Sequence, residues 1–129
     1  MDYRRYIVEV GTGIDLHGED ETKAAQRAVK DAISHCSMVG LGQLFKVGSF
    51  SDLEDALMVD VTVATPNPDK INVEAVLSIL PEGRRRLNAV KGGMAFPAPS
   101  TAEEARTHGI VMVNAVIVVL VDVEKLERK

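Results

Sequence analysis

The C-terminal segment Ile110–Val123 constrains the fold most, because nearly every residue in it is apolar. A strand with one solvent-exposed face alternates apolar and polar residues. A strand that is apolar on both faces is therefore expected in the middle of a sheet. The apolar run is interrupted by Asn114 and is too short to span a bilayer. The segment therefore predicts a central strand of a soluble domain.

The rest of the chain predicts strands that alternate with helices. A helix is expected from about Glu21 to Ser37, where apolar residues recur at helical spacing behind a candidate N-cap, Asp20. A second helix is expected over Asn72–Leu80. Alternating residues predict three further strands, at Tyr3–Val10, within Leu53–Ala64 and at Arg84–Lys91. The segment Met94–Gly109 is expected to be a long irregular loop, of the kind that is functional or mobile.

This order, β-α-β-α-β-β, predicts an α/β (α+β) fold in a single domain over residues 1–129. We expect a four-stranded mixed sheet with right-handed crossovers and two helices on one face. Two helices leave the other face of such a sheet open. Apolar and polar residues expected on or near that face are Met58, Thr62, Met112, Asn114, Val116 and Val118. Because a monomer seldom exposes such a patch, the sequence predicts a homo-oligomer.

Charge and cysteine content exclude several classes of protein. The formal net charge is −4, so a basic face for nucleic acid is not expected. A single cysteine, Cys36, rules out an internal disulfide and favours a reducing compartment. The start, MDYRRYIVEV, has no apolar signal region. These features predict a cytoplasmic protein with neither a membrane nor a nucleic acid as its partner.

The segment Gly11–Gly18 carries the clearest chemical pattern. Position 16 is Leu, which excludes the dinucleotide fingerprint, and no Gly-Lys-Ser/Thr follows for a phosphate loop. Asp15 and His17 are two residues apart, so in an extended segment they point the same way and can share a metal ion or a proton. Three glycines, Gly11, Gly13 and Gly18, would let a ligand approach the backbone closely. The alternative is a hydrogen-bonded bend with no ligand.

Other residues are candidates to complete such a site. His35 is a candidate third metal ligand, or else a boundary residue of the first helix, while Cys36 is expected to be a packed core thiol. Lys91, followed by Gly92 and Gly93, could hold an anion. Asn114 needs a partner if it is buried, so it is expected at a subunit interface or at the ligand site.

The stretch GTGIDLHG matches in full the signature G-x-G-x-D-x-H-G of a small uncharacterised family, which the chain also resembles in length and element order. More distantly, residues 13–17 resemble the metal-binding turn of methylerythritol cyclodiphosphate synthase. That likeness continues through residues 28–32 and 40–45. It implies a trimer with sites between subunits, as in chorismate mutase-like folds, and a divalent metal on Asp15 and His17. The third ligand of the synthase is a histidine, and the aligned region here reads Gln26-Arg27.

Two functional hypotheses follow. The first is an enzyme, a metal-dependent lyase or hydrolase, that acts on a small anionic metabolite at a subunit-interface site. Asp15, His17 and Lys91 would be catalytic, and zinc, magnesium or manganese would be bound by Asp15, His17 and His35 or by a neighbouring chain. The second is a non-enzymatic small-ligand-binding or regulatory homo-oligomer, a homotrimer or a multiple of it. In that case the segment Gly11–Gly18 would only shape a pocket between subunits.

Overall fold

The chain folds into a mixed sheet with its helices on one side, as a computed structural model of residues 1–17, 20–81, 83–96 and 109–129 describes it. The strands of these residues are β1 (Tyr3–Leu16), β2 (Leu57–Thr65), β3 (Arg84–Lys91), β4 (Met94–Phe96) and β5 (Ile110–Asp122). The helices are α1 (Glu21–Ser34), α2 (Val39–Leu44), α3 (Phe50–Ala56) and α4 (Val73–Leu77), with a 3₁₀ turn at Pro68–Lys70.

The strand order β1-β5-β2-β3 puts the apolar C-terminal strand in the interior of the sheet. Strand β5 runs antiparallel to β1 on one side and to β2 and the short β4 on the other, whereas β2 and β3 are parallel. The predicted α+β class and the central position of β5 are confirmed. The predicted strand count was one too low within the described residues, because β4 lies in the segment expected to be a loop. The rest of that loop, residues 97–108, lies outside the described residues.

Strand β1 runs six residues further than predicted, through Leu16. The expected break at Gly11 is wrong, because Gly11 and Gly13 keep the ladder to β5, opposite Ala115 and Val113. Their missing side chains make room for α1. A Cβ on Gly13 would lie 1.9 Å from the carbonyl oxygen of Ala24, and one on Gly11 would lie 2.3 Å from that of Ala28. The glycines therefore serve close packing of a helix on a strand.

Helix α1 begins as predicted and ends earlier. The Asp20 side chain caps it by accepting from the amide of Lys23 at 3.1 Å. The helix ends at Ser34, with His35 as C-cap, rather than at Ser37. Cys36 therefore lies beyond the helix and is exposed, so the prediction of a packed core thiol was wrong.

The segment between α1 and β2 holds two short helices that were not predicted. Strand β2 begins at Leu57, inside the predicted range, and residues 50–56 before it form α3. The Asp52 carboxylate starts that helix by accepting from the amide of Ser49 at 3.1 Å. The predicted second helix is present as α4, shortened to five residues, and Asn72 caps it as expected by accepting from the amide of Ala75.

The two faces of the sheet differ in burial. On the central strands β2 and β5 the residues that face the helices are all buried, and β2 alternates strictly between buried and half-buried positions. We call the other side the open face, and alternate residues of all five described strands form it. They run from Val8 to Leu16 on β1, Met58 to Ala64 on β2, Arg84 to Val90 on β3, Met94 to Phe96 on β4 and Ile110 to Leu120 on β5. All six residues predicted to lie there are on it, so that prediction is confirmed. Of the helices in the described ranges, none is both long and apolar enough to cross a membrane.

Candidate functional site

Asp15 lies near the end of β1 and is 7% exposed, on the side of the sheet that α1 covers. One carboxylate oxygen accepts from the backbone amide of Asp20 at 2.7 Å. The other is 3.0 Å from the Arg27 guanidinium, which also donates to the carbonyl of Ile14 at 2.6 Å. Asp15 therefore ties the end of β1 to the first turns of α1, with its charge neutralised by Arg27.

Glu21 makes a matching connection at the end of β2. This residue is 6% exposed, and its carboxylate accepts from the hydroxyl of Thr65 and, at 2.7 Å, from the amide of Asn67. Both buried acids at this end of the sheet thus have protein partners. Hydrogen-bonded, paired carboxylates of this kind are typical of a structural junction.

His17 follows the last residue of β1 and takes a left-handed backbone conformation, with φ of 53°. Its amide continues the ladder by donating to the carbonyl of Gly109 at 2.9 Å, and its side chain is exposed. The rule that residues two apart in a strand share a direction does not apply past the strand end. Among the described contacts, no hydrogen bond or ion pair joins Asp15 to His17. Gly18, predicted to bind the same ligand, lies outside the described residues.

His35 cannot complete a metal site with Asp15 and His17 in one chain. It lies at the opposite end of α1, about 20 Å from the helix start at 1.5 Å per residue. Its ring nitrogen is 2.8 Å from the carboxylate of Asp31. In the described ranges, no three His, Cys, Asp or Glu side chains are grouped so that they could hold a metal. Within those ranges, the side chains of one subunit therefore do not form the three-ligand metal site that the resemblance implies.

Lys91 ends β3 and is exposed. Three interstrand spacings, roughly 14 Å, separate β3 from β1, so one chain does not bring Lys91 to Asp15. The two glycines after it form a tight connection to β4. Gly93 has φ of 62°, and a Cβ there would lie 2.2 Å from the carbonyl oxygen of Met112. The conformation and packing of this turn account for the Gly-Gly pair without a ligand.

Gly11 and Asn114 are the predicted ligand-binding residues that the structure does bring together. They line a depression of about 500 Å³ with Val10, Thr12, Asp31, Ala115 and Val116. The Asn114 side chain donates to the hydroxyl of Thr12 at 3.2 Å. The hydrogen-bond partner of Asn114 within the chain is therefore a residue of the neighbouring strand β1. Because Asn114 is exposed on the open face, the depression lies where the edge of β1 meets that face.

Side chains of α1 cover the outer edge of β1. The amide of Thr12 donates to the Asp31 carboxylate at 2.9 Å, and the carbonyl of Ile14 accepts from Arg27. The bond from Thr12, together with one from His35, lowers the pKa of Asp31 below its usual value. These contacts occupy two backbone groups that would otherwise be free to pair with another strand.

Sequence reasoning missed three residues with specific roles: Glu9, Arg27 and Asp31. Glu9 is 5% exposed and faces the helices, and burial raises its pKa. The signal for its orientation was available, because Glu9 shares the strand parity of Gly11 and Gly13. The partners of Arg27 and Asp31 carried no sequence signal, since both depend on how α1 lies against β1.

The chain is similar to a solved structure of a protein of unknown function. It is the crystal structure of a FtsZ-like protein of unknown function from Nostoc punctiforme PCC 73102, with a TM-score of 0.77 and 32% sequence identity. The alignment covers 95% of this chain and 98% of that one. No curated protein matches the sequence.

The predicted membership of an uncharacterised family is confirmed by a family model that matches residues 5–119. That range includes most of β1 with its Gly11–Leu16 extension, the helices and most of β5. The chain belongs to the Lin0512_fam family of conserved hypothetical proteins.

Proposed function

We propose that the protein is a homo-oligomer that binds a small ligand at a site completed between subunits. The observation that carries this is the concentration of exposed apolar side chains on the open face. Of the twelve large hydrophobic residues exposed in the described ranges, eight lie there, each 37–67% exposed. The eight are Val8, Val10, Ile14, Leu16, Val90, Met94, Phe96 and Val116.

The apolar area of this patch is close to that of a protein–protein interface. Eight side chains, each about half exposed, leave on the order of 600 Å² of apolar surface, near the roughly 800 Å² that each partner buries in a standard interface. Half-buried neighbours such as Met112 and Val118 extend it. A second copy of the chain is the natural occupant, because self-association covers the patch on every molecule at once.

Association is expected through the face rather than through the edge of β1. The side chains of Asp31 and Arg27 occupy the outward backbone groups of Thr12 and Ile14, so strand addition there would have to displace them. The resemblance to trimeric folds favours a trimer or a multiple of it.

The depression around Asn114 is the proposed ligand site. It is shallow in one chain, and a subunit docked on Val10 and Val116 would lie over it. Thr12 and Asn114 offer a hydroxyl and an amide for recognition of a small polar molecule. Ligand pockets commonly combine such polar groups with apolar walls.

The interface is tested with Val10→Asp, which puts a charge on the most exposed apolar side chain of the open face. Its matched control is Val73→Asp, an exposed valine at the start of α4. We expect size-exclusion chromatography with light scattering to show a smaller assembly for Val10→Asp and no change for Val73→Asp. Equal masses for the two variants and the wild type would refute the assignment of the interface.

The ligand site is tested by melting temperature in a panel of small carboxylates, phosphates and amides. A compound that binds at 100 times its Kd stabilises by about 2.7 kcal/mol, which such a scan resolves easily. The stabilisation should vanish in Asn114→Ala and persist in Asn88→Ala, an exposed asparagine of β3 on the same face. Stabilisation that survives Asn114→Ala, or none from any compound, would contradict this site.

An enzyme is the second candidate, with Asp15, His17 and Lys91 acting on a small anionic metabolite between subunits. The left-handed conformation of His17 favours it, because uncommon backbone conformations cluster at functional sites. A divalent metal there would need further donors besides Asp15 and His17, and a neighbouring subunit would be one source of them. Elemental analysis of the purified protein and of His17→Ala tests this: bound metal that the variant loses supports the candidate, and a metal-free wild type contradicts the metal.

A further inference from the structure

A cavity of about 580 Å³ lies on the helix side of the sheet, away from the open face. It is partly open to solvent and is lined by residues of β1, β5 and β2, by the C-terminal end of α1 and by the segment that carries α2 and α3. Its walls are mostly aliphatic and include Ile33, Leu41, Leu53, Val59, Ile117 and Val119. Its volume is within the range of small-molecule sites, roughly 300–1,000 Å³.

Glu9 is the one carboxylate among the described residues that line this cavity. The residue is 5% exposed, and its Oε2 atom has no hydrogen-bond partner in the described part of the chain. Glu9 pairs with Ile117 across the ladder. An apolar residue in place of Glu9 would pack there without the free-energy cost of desolvating a charged group. An unpaired carboxylate here lowers stability, so a role in packing does not explain it.

The lining offers Glu9 no positive charge. None of its described members is Lys, Arg or His, and the other polar side chains are those of Cys36 and Ser37. A ligand with a cationic group would supply the partner that the Glu9 carboxylate lacks. A charge-assisted hydrogen bond to a carboxylate is roughly twice as strong as a neutral one. The aliphatic walls would at the same time bury a hydrocarbon chain.

We propose that this cavity binds a small apolar amine, whose ammonium group pairs with Glu9 and whose hydrocarbon part lies against the aliphatic walls. The site is independent of the oligomer interface, because Glu9 and the open face are on opposite sides of the sheet. It is also distant from Asp15, which lies six residues, about 20 Å, further along β1.

Three probes of equal length separate the charge from the hydrocarbon: n-hexylamine, n-hexanol and hexanoate. Calorimetry on the wild type should show hexylamine binding about tenfold more tightly than hexanol, with hexanoate weakest because it repels Glu9. In Glu9→Gln the preference for the amine should disappear while hexanol still binds. The matched control is Glu54→Gln, an exposed carboxylate of α3, which should behave as the wild type does.

Cys36 gives a second readout of occupancy. It is the only cysteine of the chain, it lines the cavity and it is exposed, so a maleimide labels it selectively. Saturating hexylamine should slow that labelling in the wild type and do so less in Glu9→Gln at the same concentration. The proposal is overturned if hexylamine binds no better than hexanol, if Glu9→Gln keeps the amine preference, or if no probe binds.

Discussion

At the scale of single residues, the role that the sequence predicts for Asp15 differs from the role that its contacts indicate. Its spacing to His17 predicts a shared ligand, whereas its contacts are those of a structural tie. The carboxylate joins the amide of Asp20 to the guanidinium of Arg27 and is almost fully buried. Sequence could identify Asp15 as a residue with a polar role, but the identity of its partner depends on the rotation of α1.

Removal of the Asp15 carboxylate should therefore lower stability. Asp15→Ala leaves the Asp20 amide without its acceptor and removes the carboxylate that Arg27 pairs with, and we expect a loss of about 1–3 kcal/mol in the free energy of unfolding. Denaturation by urea measures it, with Glu54→Ala on the surface of α3 as the control. Unchanged stability together with lost ligand or metal binding would instead make Asp15 a functional residue.

The two carboxylates with shifted pKa values should respond to pH with opposite signs. Burial raises the pKa of Glu9 above 4.5, so the stability it contributes is present at low pH and is lost as pH rises through the raised pKa. Hydrogen bonds lower the pKa of Asp31 below 3.8, so its contribution is present above that pH and is lost as pH falls through the lowered pKa.

Unfolding by urea at pH 7 and pH 4 checks the sign for Glu9, and further measurements below pH 3.8 check the sign for Asp31, because its pKa is lowered below that value. Relative to the wild type, Glu9→Gln should gain stability at pH 7 and little or none at pH 4. Asp31→Asn should lose stability at pH 7, and that deficit should shrink as the pH is lowered further. Parallel stability curves for Glu9→Gln and the wild type would show that the Glu9 carboxylate is solvated.

At the scale of elements, the contact between β1 and α1 organises this half of the fold. Gly11 and Gly13 alternate with exposed residues, and Ala24, Ala28 and Ala32 present the facing surface of the helix. The sequence shows both the glycines and the alanines. It does not show that they face each other, which is why the glycines suggest a ligand loop when read alone.

Gly13→Ala should disrupt this contact. The added methyl would lie 1.9 Å from the carbonyl oxygen of Ala24 and 2.4 Å from the amide nitrogen of Ala28, so the helix must shift. We expect a loss of about 3 kcal/mol or more, at the upper end of overpacking effects. Gly42→Ala in α2 is the control, since nothing lies within 4 Å of its added methyl; we expect a small gain from helix propensity. Comparable effects at the two positions would refute close packing as the reason for Gly13.

Elements with a clear period were predicted well, and short ones were not. The start of α1, the position of β3 and the central β5 follow from capping, alternation and an unbroken apolar run. Helices α2 and α3 are too short for a periodic signal, and Gly40 and Gly42 weaken it further. Strand β4 has three residues and exists through its pairing with β5, which local sequence does not encode.

At the scale of the whole molecule, the open face is the feature that sequence and structure agree on. The surplus of apolar residues in β5 already predicted that two helices could not cover the sheet. The structure adds to it the even-numbered residues of β1 from Val8 onward. Of these, Thr12, Ile14 and Leu16 lie beyond Val10, where sequence reasoning ended the strand. This surplus is the basis on which we propose self-association, whereas the identity of the proposed ligand would depend on side chains that the partner copy contributes.

The most direct test of this account is the mass of the wild-type protein in solution. Sedimentation equilibrium or light scattering at micromolar concentration should give a multiple of the 14.0 kDa chain mass, because we propose that further copies cover the apolar open face. A mass of 14.0 kDa that persists at the highest concentrations reached would contradict the account.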